Sequence, residues 1–366
     1  MILSDFASIL LYLAAFSAAI VFAYLGQKKH NKIFSVIAIL IPVIIAGFRY
    51  STGTDSLTYR KFYEQIGTDS PERISARLAS GEIEPFVIAV SRFGNILGLP
   101  VTFLFVVFAL ITTSFLYFTA KNASKDHAWL CYGMLIFVVF PESMNIMRQL
   151  AAISAQAFAL AYMYRAQQKG QRYSVALVLA LAGFSAILHF SSILVMPVLL
   201  LPFITKHFHT KSLVAELSVL AIVCALALPI VIEIAISSGI LSARHLQTFF
   251  AMDGSIINIK FAVSLILALV LLASYHRRKE QSDKQYGLLM LLGTSYAATG
   301  FYSAYLGRLA LFFWIFDIVI ISDIICQLFE KDKHRVAVGM TIAVLYFIVY
   351  FGIAGMNELM PYSFAF

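Results

Sequence analysis

Charge is scarce in this chain. Only 13% of its 366 residues are Asp, Glu, Lys or Arg, against roughly a quarter in an ordinary soluble domain. That shortage leaves too little polar surface to solvate a globular fold. Cysteine is equally sparse. Cys131, Cys224 and Cys326 all lie in apolar runs without pairing or ligand spacing, which argues against a disulfide framework or a zinc site and leaves three small hydrophobic side chains. The sequence has no Walker loop, nucleophile elbow, dinucleotide fingerprint, HExxH or Asp-x-Asp pair, so nothing in it calls for a cytosolic nucleotide, a cofactor or a metal. No Gly/Ser-rich or Pro-rich linker and no solenoid repeat divides it, and one bundle spanning 1–366 is expected.

What the chain has instead is hydrocarbon. Hydrophobic residues make up 61% of it, arranged in long apolar runs separated by short polar loops, the pattern of a polytopic, all-α membrane protein. The first apolar run lacks the basic start and small-residue cleavage site of a signal peptide, so a retained span is expected there. The net charge of +8 follows from topology rather than from nucleic-acid binding. Six short loops, near residues 30, 123, 168, 208, 280 and 332, hold most of the 27 Lys and Arg residues, and the positive-inside rule places them all in the cytoplasm.

Consecutive inside loops must be separated by an even number of crossings. Between the first and third basic loops there are five apolar stretches, so one of them does not cross. The stretch 84–98 is the weakest, since it contains Glu84 and Arg92 and falls short of the roughly 20 residues that a span needs. It is expected to be a re-entrant or interfacial helix on the outer side. The crossings are then expected at 7–25, 33–49, 101–120, 128–142, 145–165, 173–188, 190–204, 213–236, 257–276, 286–305, 308–329 and 335–355, about twelve spans with both ends of the chain outside.

The outer face collects the polar residues of interest. Its main loop, 49–83, begins at Arg49 and carries Gly53, Asp55, Tyr59 and Tyr63. A helix after Gly53 would put Asp55, Tyr59 and Tyr63 on one face. That face would serve either as a carboxylate and two phenols cupping a sugar or as an N-capping Asp with interfacial tyrosines. In the turn PESMNIMRQ, Asn145, Arg148, Gln149, Ala152 and Gln156 form one helical stripe, a polar seam facing the bundle interior. An arginine at the edge of hydrocarbon is costly by a few kcal/mol and persists mainly where a partner or ligand uses its charge. His189 and Arg308 lie at two more outer helix ends. Together Arg49, Arg148, His189 and Arg308 would make a basic pocket suited to an anion.

These strings are also familiar as a set. GFRYSTGTDSLTY, then Glu84-Pro85-Phe86, then NIMRQLAAISAQ, then LHFSS, then the late Gly307-Arg308 resemble the EpsG-like family of Wzy-type exopolysaccharide and O-antigen polymerases. The matching positions are Arg49, Gly53, Asp55, Glu84, Pro85, Asn145, Arg148, Gln149, His189, Ser191 and, least securely, Arg308. The resemblance implies a glycosyltransferase bundle of the GT-C type in the bacterial plasma membrane. On the extracytoplasmic face it would transfer a glycan from undecaprenyl diphosphate to a second lipid-linked repeat unit, without metal or cofactor. Arg148 with Arg49 or Arg308 would hold the diphosphate. Asp55, Glu84 or His189 would take the acceptor proton, three alternatives that the sequence leaves open. Tyr59, Asn145, Gln149 and Ser191 would contact the glycan. Partners implied are the lipid-linked oligosaccharides, a flippase and a chain-length regulator. An O-antigen ligase would be expected to carry a larger late outer loop than 237–256, and a flippase or transporter should place its charges near the midplane of related halves.

Overall fold

Eleven α-helices have both ends among the residues described by the computed structural model, which are 1–124, 126–203, 289–297 and 308–365, with a few isolated positions between them. They are numbered here in chain order: α1 Asp5–Lys28, α2 Lys32–Gly47, α3 Ser56–Thr68, α4 Pro71–Ala79, α5 Pro85–Ile96, α6 Thr102–Ala123, α7 Ala128–Val138, α8 Met147–Gln168, α9 Val175–Leu188, α10 Ala310–Leu328 and α11 Asp332–Tyr346. The helix starts are written locally. Ser4, Asn31, Ser70 and Ser174 each cap a first turn by accepting a backbone N–H, and Pro71 and Pro85 occupy first-turn positions where no N–H is needed.

The chain is an all-α membrane protein. Among the described residues α1, α6, α10 and the continuous run Asp332–Ile353 are long and apolar enough to cross a bilayer, while α2, α7 and α9 are apolar but shorter. The run Asp332–Ile353 is α11 followed by a wider π turn, Phe347–Ile353. With 22 residues, α8 is as long as α6, but its seam of Arg and Gln makes it too polar to rank with the four spans. It is buried on nearly every side, packed by α6, α9 and α10. Enclosure by protein rather than lipid is the setting in which such a seam is tolerated.

The stretch set apart as non-crossing is a short helix, and several expected crossings take another form. The stretch 84–98 is the twelve-residue α5, too short to cross, and it packs against α3, α6 and α9. The run 128–142 is the eleven-residue α7 followed by a 3-10 turn, Phe140–Met144. The run expected to cross at 190–204 is no continuous α-helix. Two 3-10 turns, Phe190–Leu194 and Met196–Leu200, stand there, with Pro197 at the start of the second unable to donate the backbone bond that a continuous α-helix needs. The expected spans at 213–236 and 257–276 lie almost wholly outside the described residues. Of 286–305, the described part 289–297 is helical.

Nor is the segment 49–83, expected as the main outer loop, an open loop. It folds into α3 and α4, joined by a charge cluster in which Arg77 donates to Asp69 at 2.8 Å, to Glu82 at 2.8 Å and to Gln65 at 3.1 Å. A second, smaller core seats this pair on the bundle. Tyr59, Tyr63 and Ile66 of α3 pack with Val87 and Ile88 of α5, Phe105 and Phe108 of α6, and Ala151 and Ala152 of α8. The sequence between Arg49 and α3 turns at Gly53, whose φ of 92° suits glycine, and a Cβ there would collide with the Met144 carbonyl. Replacing Gly53 by alanine is expected to lower stability by about 1–3 kcal/mol, read as an earlier thermal transition of the detergent-solubilised protein.

Candidate functional site

Three helix ends meet at Glu84. This residue precedes Pro85 at the start of α5, Arg148 lies in the first turn of α8, and His189 is the extended residue that ends α9. The Glu84 carboxylate, 4% exposed, accepts from the Arg148 guanidinium through one oxygen and lies 2.5 Å from His189 Nδ1 through the other. Burial by itself would raise this carboxyl, but Arg148 and His189 outweigh it and hold the group down to about 2. An ionised carboxylate only accepts, so the hydrogen in the short contact belongs to His189 Nδ1. In the neutral imidazole the lone pair is then at Nε2.

Arg148 is held from a second side. Its Nε donates to the Tyr59 hydroxyl at 3.3 Å, and the guanidinium stands 5.4 Å from the centre of the Tyr59 ring. A cation near a helix N-terminus opposes the helix dipole, so α8 gains nothing from this arginine. Its placement answers instead to Glu84 and Tyr59, and its side chain is 21% exposed. Asp55 lies within electrostatic reach of both Arg308 and Arg148. Burial raises its carboxyl, and the two arginines act in the opposite sense. Two guanidiniums and two carboxylates therefore share one region with His189.

The remaining candidates fall into different places. Arg49 is 1% exposed and faces protein. Its guanidinium donates to the Ala46 carbonyl and, at 3.4 Å, to that of Met144, and lies 4.3 Å from the Phe105 ring centre. A guanidinium enclosed in this way is a poor direct ligand for a diphosphate. It fixes the loop before α3 instead, with help from Arg60, which donates to the Tyr50 carbonyl at 2.7 Å and the Arg49 carbonyl at 2.9 Å. Tyr59, expected to contact glycan, is only 2% exposed and has Arg148 over its ring, so its role is to orient that arginine. Tyr63 is buried too, and its hydroxyl donates to the Leu99 carbonyl at 2.7 Å. The sugar-cupping reading of that face gives way to a packing one. Gln149 and Ser191 are buried, whereas Asn145 is half-buried at the rim, accepting from Thr54 and donating to Asn357 at 3.1 Å. Gln156, deeper in the seam, donates to the Ser192 carbonyl at 2.9 Å and so holds the turn after His189.

A family model described as the EpsG family matches residues 32–364. The chain belongs to the EpsG family. The matched stretch includes Glu84, Arg148 and His189 together with every other candidate residue. A search of curated protein sequences finds no match. Membership implies a polysaccharide-polymerase-like function of the membrane glycosyltransferase kind.

Two features of this EpsG-family site escaped the sequence-based reading. Asn357 and Glu358 come from the segment after α11 and reach the loop at Gly53 and the turn before α8. An isolated Asn more than two hundred residues from its partners carries no local signal. Glu142, in the same turn as Asn145, is also drawn in, accepting from Asn357 at 2.8 Å. Among the described residues no three His, Cys, Asp or Glu side chains group closely enough to hold a metal ion.

Proposed function

We propose that this protein is a polysaccharide polymerase that transfers a glycan from undecaprenyl diphosphate to the hydroxyl of a second lipid-linked repeat unit. It would do so on the outer face of the bacterial plasma membrane, in a bundle of the GT-C kind. The observation that carries this reading is the buried Glu84 carboxylate gripping Arg148 with one oxygen and His189 with the other.

The roles follow from that geometry. Arg148, whose positive charge is fixed and partly open to the outside, binds the donor diphosphate, and Arg308 supplies a second cation beside Asp55. His189 Nε2 accepts the proton as the acceptor oxygen attacks the anomeric carbon. The bond from that carbon to the diphosphate oxygen breaks, and the electron pair leaves with undecaprenyl diphosphate, whose charge the arginines neutralise. Glu84 orients the imidazole and selects the neutral tautomer that carries its lone pair at Nε2. Held at about 2, Glu84 is itself a poor base, which favours His189 among the three alternatives. Asp55 keeps Arg308 in place. The basic loops set the orientation, so the site opens away from the cytoplasm. A flippase must then deliver the repeat units, and a separate regulator would set their final number.

The test is reconstitution of the whole protein in lipid vesicles with undecaprenyl-diphosphate-linked repeat units. A ladder of lengthening glycans with release of undecaprenyl diphosphate is expected, unchanged by a divalent-metal chelator. Units that cross the bilayer without a ladder would make the protein a transporter, and a ladder abolished by chelation would overturn the metal-independent mechanism.

A further inference from the structure

The segment after α11 folds back onto the candidate site. Asn357 and Glu358 there take left-handed backbone, with φ of 67° and 49°. That conformation is costly for residues other than glycine, though least so for Asn and Asp, and persists where the surroundings impose it. Those surroundings are the loops of the site. The Glu358 carbonyl accepts the Gly53 N–H at 3.0 Å, and the Ser363 carbonyl accepts the Tyr50 N–H at 2.8 Å.

Asn357 belongs to a line of four side chains. Thr54 donates to Asn145 Oδ1, Asn145 Nδ2 donates to Asn357 Oδ1 at 3.1 Å, and Asn357 Nδ2 donates to Glu142 Oε2 at 2.8 Å. The carboxylate at the buried end fixes the sense of the whole line. Asn357 must turn its nitrogen to Glu142, which presents its oxygen to Asn145, and Asn145 must then turn its own oxygen to Thr54. The line runs from buried Glu142 to exposed Thr54, with both amides half-buried between them, and Asn145 stands three positions before Arg148.

We infer that Asn357 is a positioning residue that sets the amide of Asn145, and that the rim formed by Thr54 and Asn145 recognises saccharide hydroxyls. The inference rests on the polymerase reading and adds the specificity element to it. The Asn145 amide still has a second N–H and a second oxygen lone pair after the internal bonds are made, and Thr54 a second oxygen lone pair. The half-open rim therefore alternates donors and acceptors without net charge. Such a surface matches a neutral polyhydroxylated ligand, and the diphosphate is left to the arginines beside it.

Asn357→Gly isolates the side chain, because glycine takes the left-handed turn without strain. In vesicles holding the whole protein and lipid-linked repeat units, this variant is expected to raise KM for the repeat unit about tenfold, the scale of a lost hydrogen-bonded contact, with kcat nearly unchanged. Asn145→Ala should do the same, and the double variant should be no worse than Asn145→Ala alone, since both changes break one link. Asn357→Asp, which also tolerates the turn and still accepts from Asn145, is expected to keep a KM near the wild-type value, and a tenfold rise in that variant would overturn the inference if the glycine variant fails to accumulate. A wild-type KM in Asn357→Gly, a loss confined to kcat, or losses that multiply in the double variant would overturn the inference while leaving the polymerase reading intact. Absence of a ladder from the wild-type protein overturns both.

Discussion

Arg148→Ala is expected to remain inserted in the membrane and to leave lipid-linked single repeats unpolymerised. Among the described residues this guanidinium is the one that bonds both Glu84 and Tyr59, and its side chain is 21% exposed. Loss of a single preorganised group that stabilises developing negative charge typically costs about 10²–10³ in kcat. The variant also strands the Glu84 carboxylate with only His189 beside it, and removing one partner of a buried ion pair destabilises by roughly 3–5 kcal/mol. Folding must therefore be separated from chemistry. Arg148→Lys does this, because an ammonium keeps the charge near Glu84 but lacks the planar fork that reaches carboxylate and phenol at once. It should accumulate like the wild type and still turn over at least tenfold more slowly. The measurements are the glycan ladder and the amount of protein in the membrane fraction. A normal ladder from cells carrying only Arg148→Ala would remove the basis of the proposed mechanism.

The sequence made Arg148, Glu84 and His189 legible for a physical reason. Each is a polar group beside an apolar run, where retention needs a partner, and the structure joins all three through Glu84. What hydropathy could not convey was the backbone. A count of apolar residues over 190–204 looks the same whether its carbonyls close α-helical or 3-10 turns, and only Pro197 hints at the interruption that the structure places there. The spacing of Tyr59 and Tyr63 did predict one helical face, but spacing does not say whether that face meets water or protein. Here it meets α5, α6 and α8. Arg49 illustrates the same gap, since an arginine at the end of an apolar run is expected to face outward, whereas the carbonyls of Ala46 and Met144 and the Phe105 ring give it partners inside. Asn357 was beyond reach altogether, because its meaning lies in Asn145 and Glu142, far away along the chain.

Glu84→Gln is the most discriminating single change, because it conserves shape and removes only charge. Its amide oxygen will face the Arg148 guanidinium, which can only donate. The amide nitrogen is then turned to His189 and donates to Nδ1, which reverses the tautomer. The ring hydrogen moves to Nε2, where the acceptor hydroxyl needs a lone pair. Neutralising the carboxylate that orients a catalytic imidazole costs about 10⁴ in the serine-protease case, and general-base contributions run at about 10²–10⁴, so a loss in that range is expected in kcat with a smaller change in KM. A pH signature accompanies it. The Glu84 carboxyl is held at about 2, below its ordinary value of 4.5. Its contribution to stability is thus present above pH 4.5 and is lost as pH falls towards 2. Thermal unfolding of the wild-type protein in detergent should shift downward across that window by an increment that Glu84→Gln does not show. Wild-type turnover in Glu84→Gln would mean that His189 is not the base, and the acceptor proton would have to go to Asp55 instead.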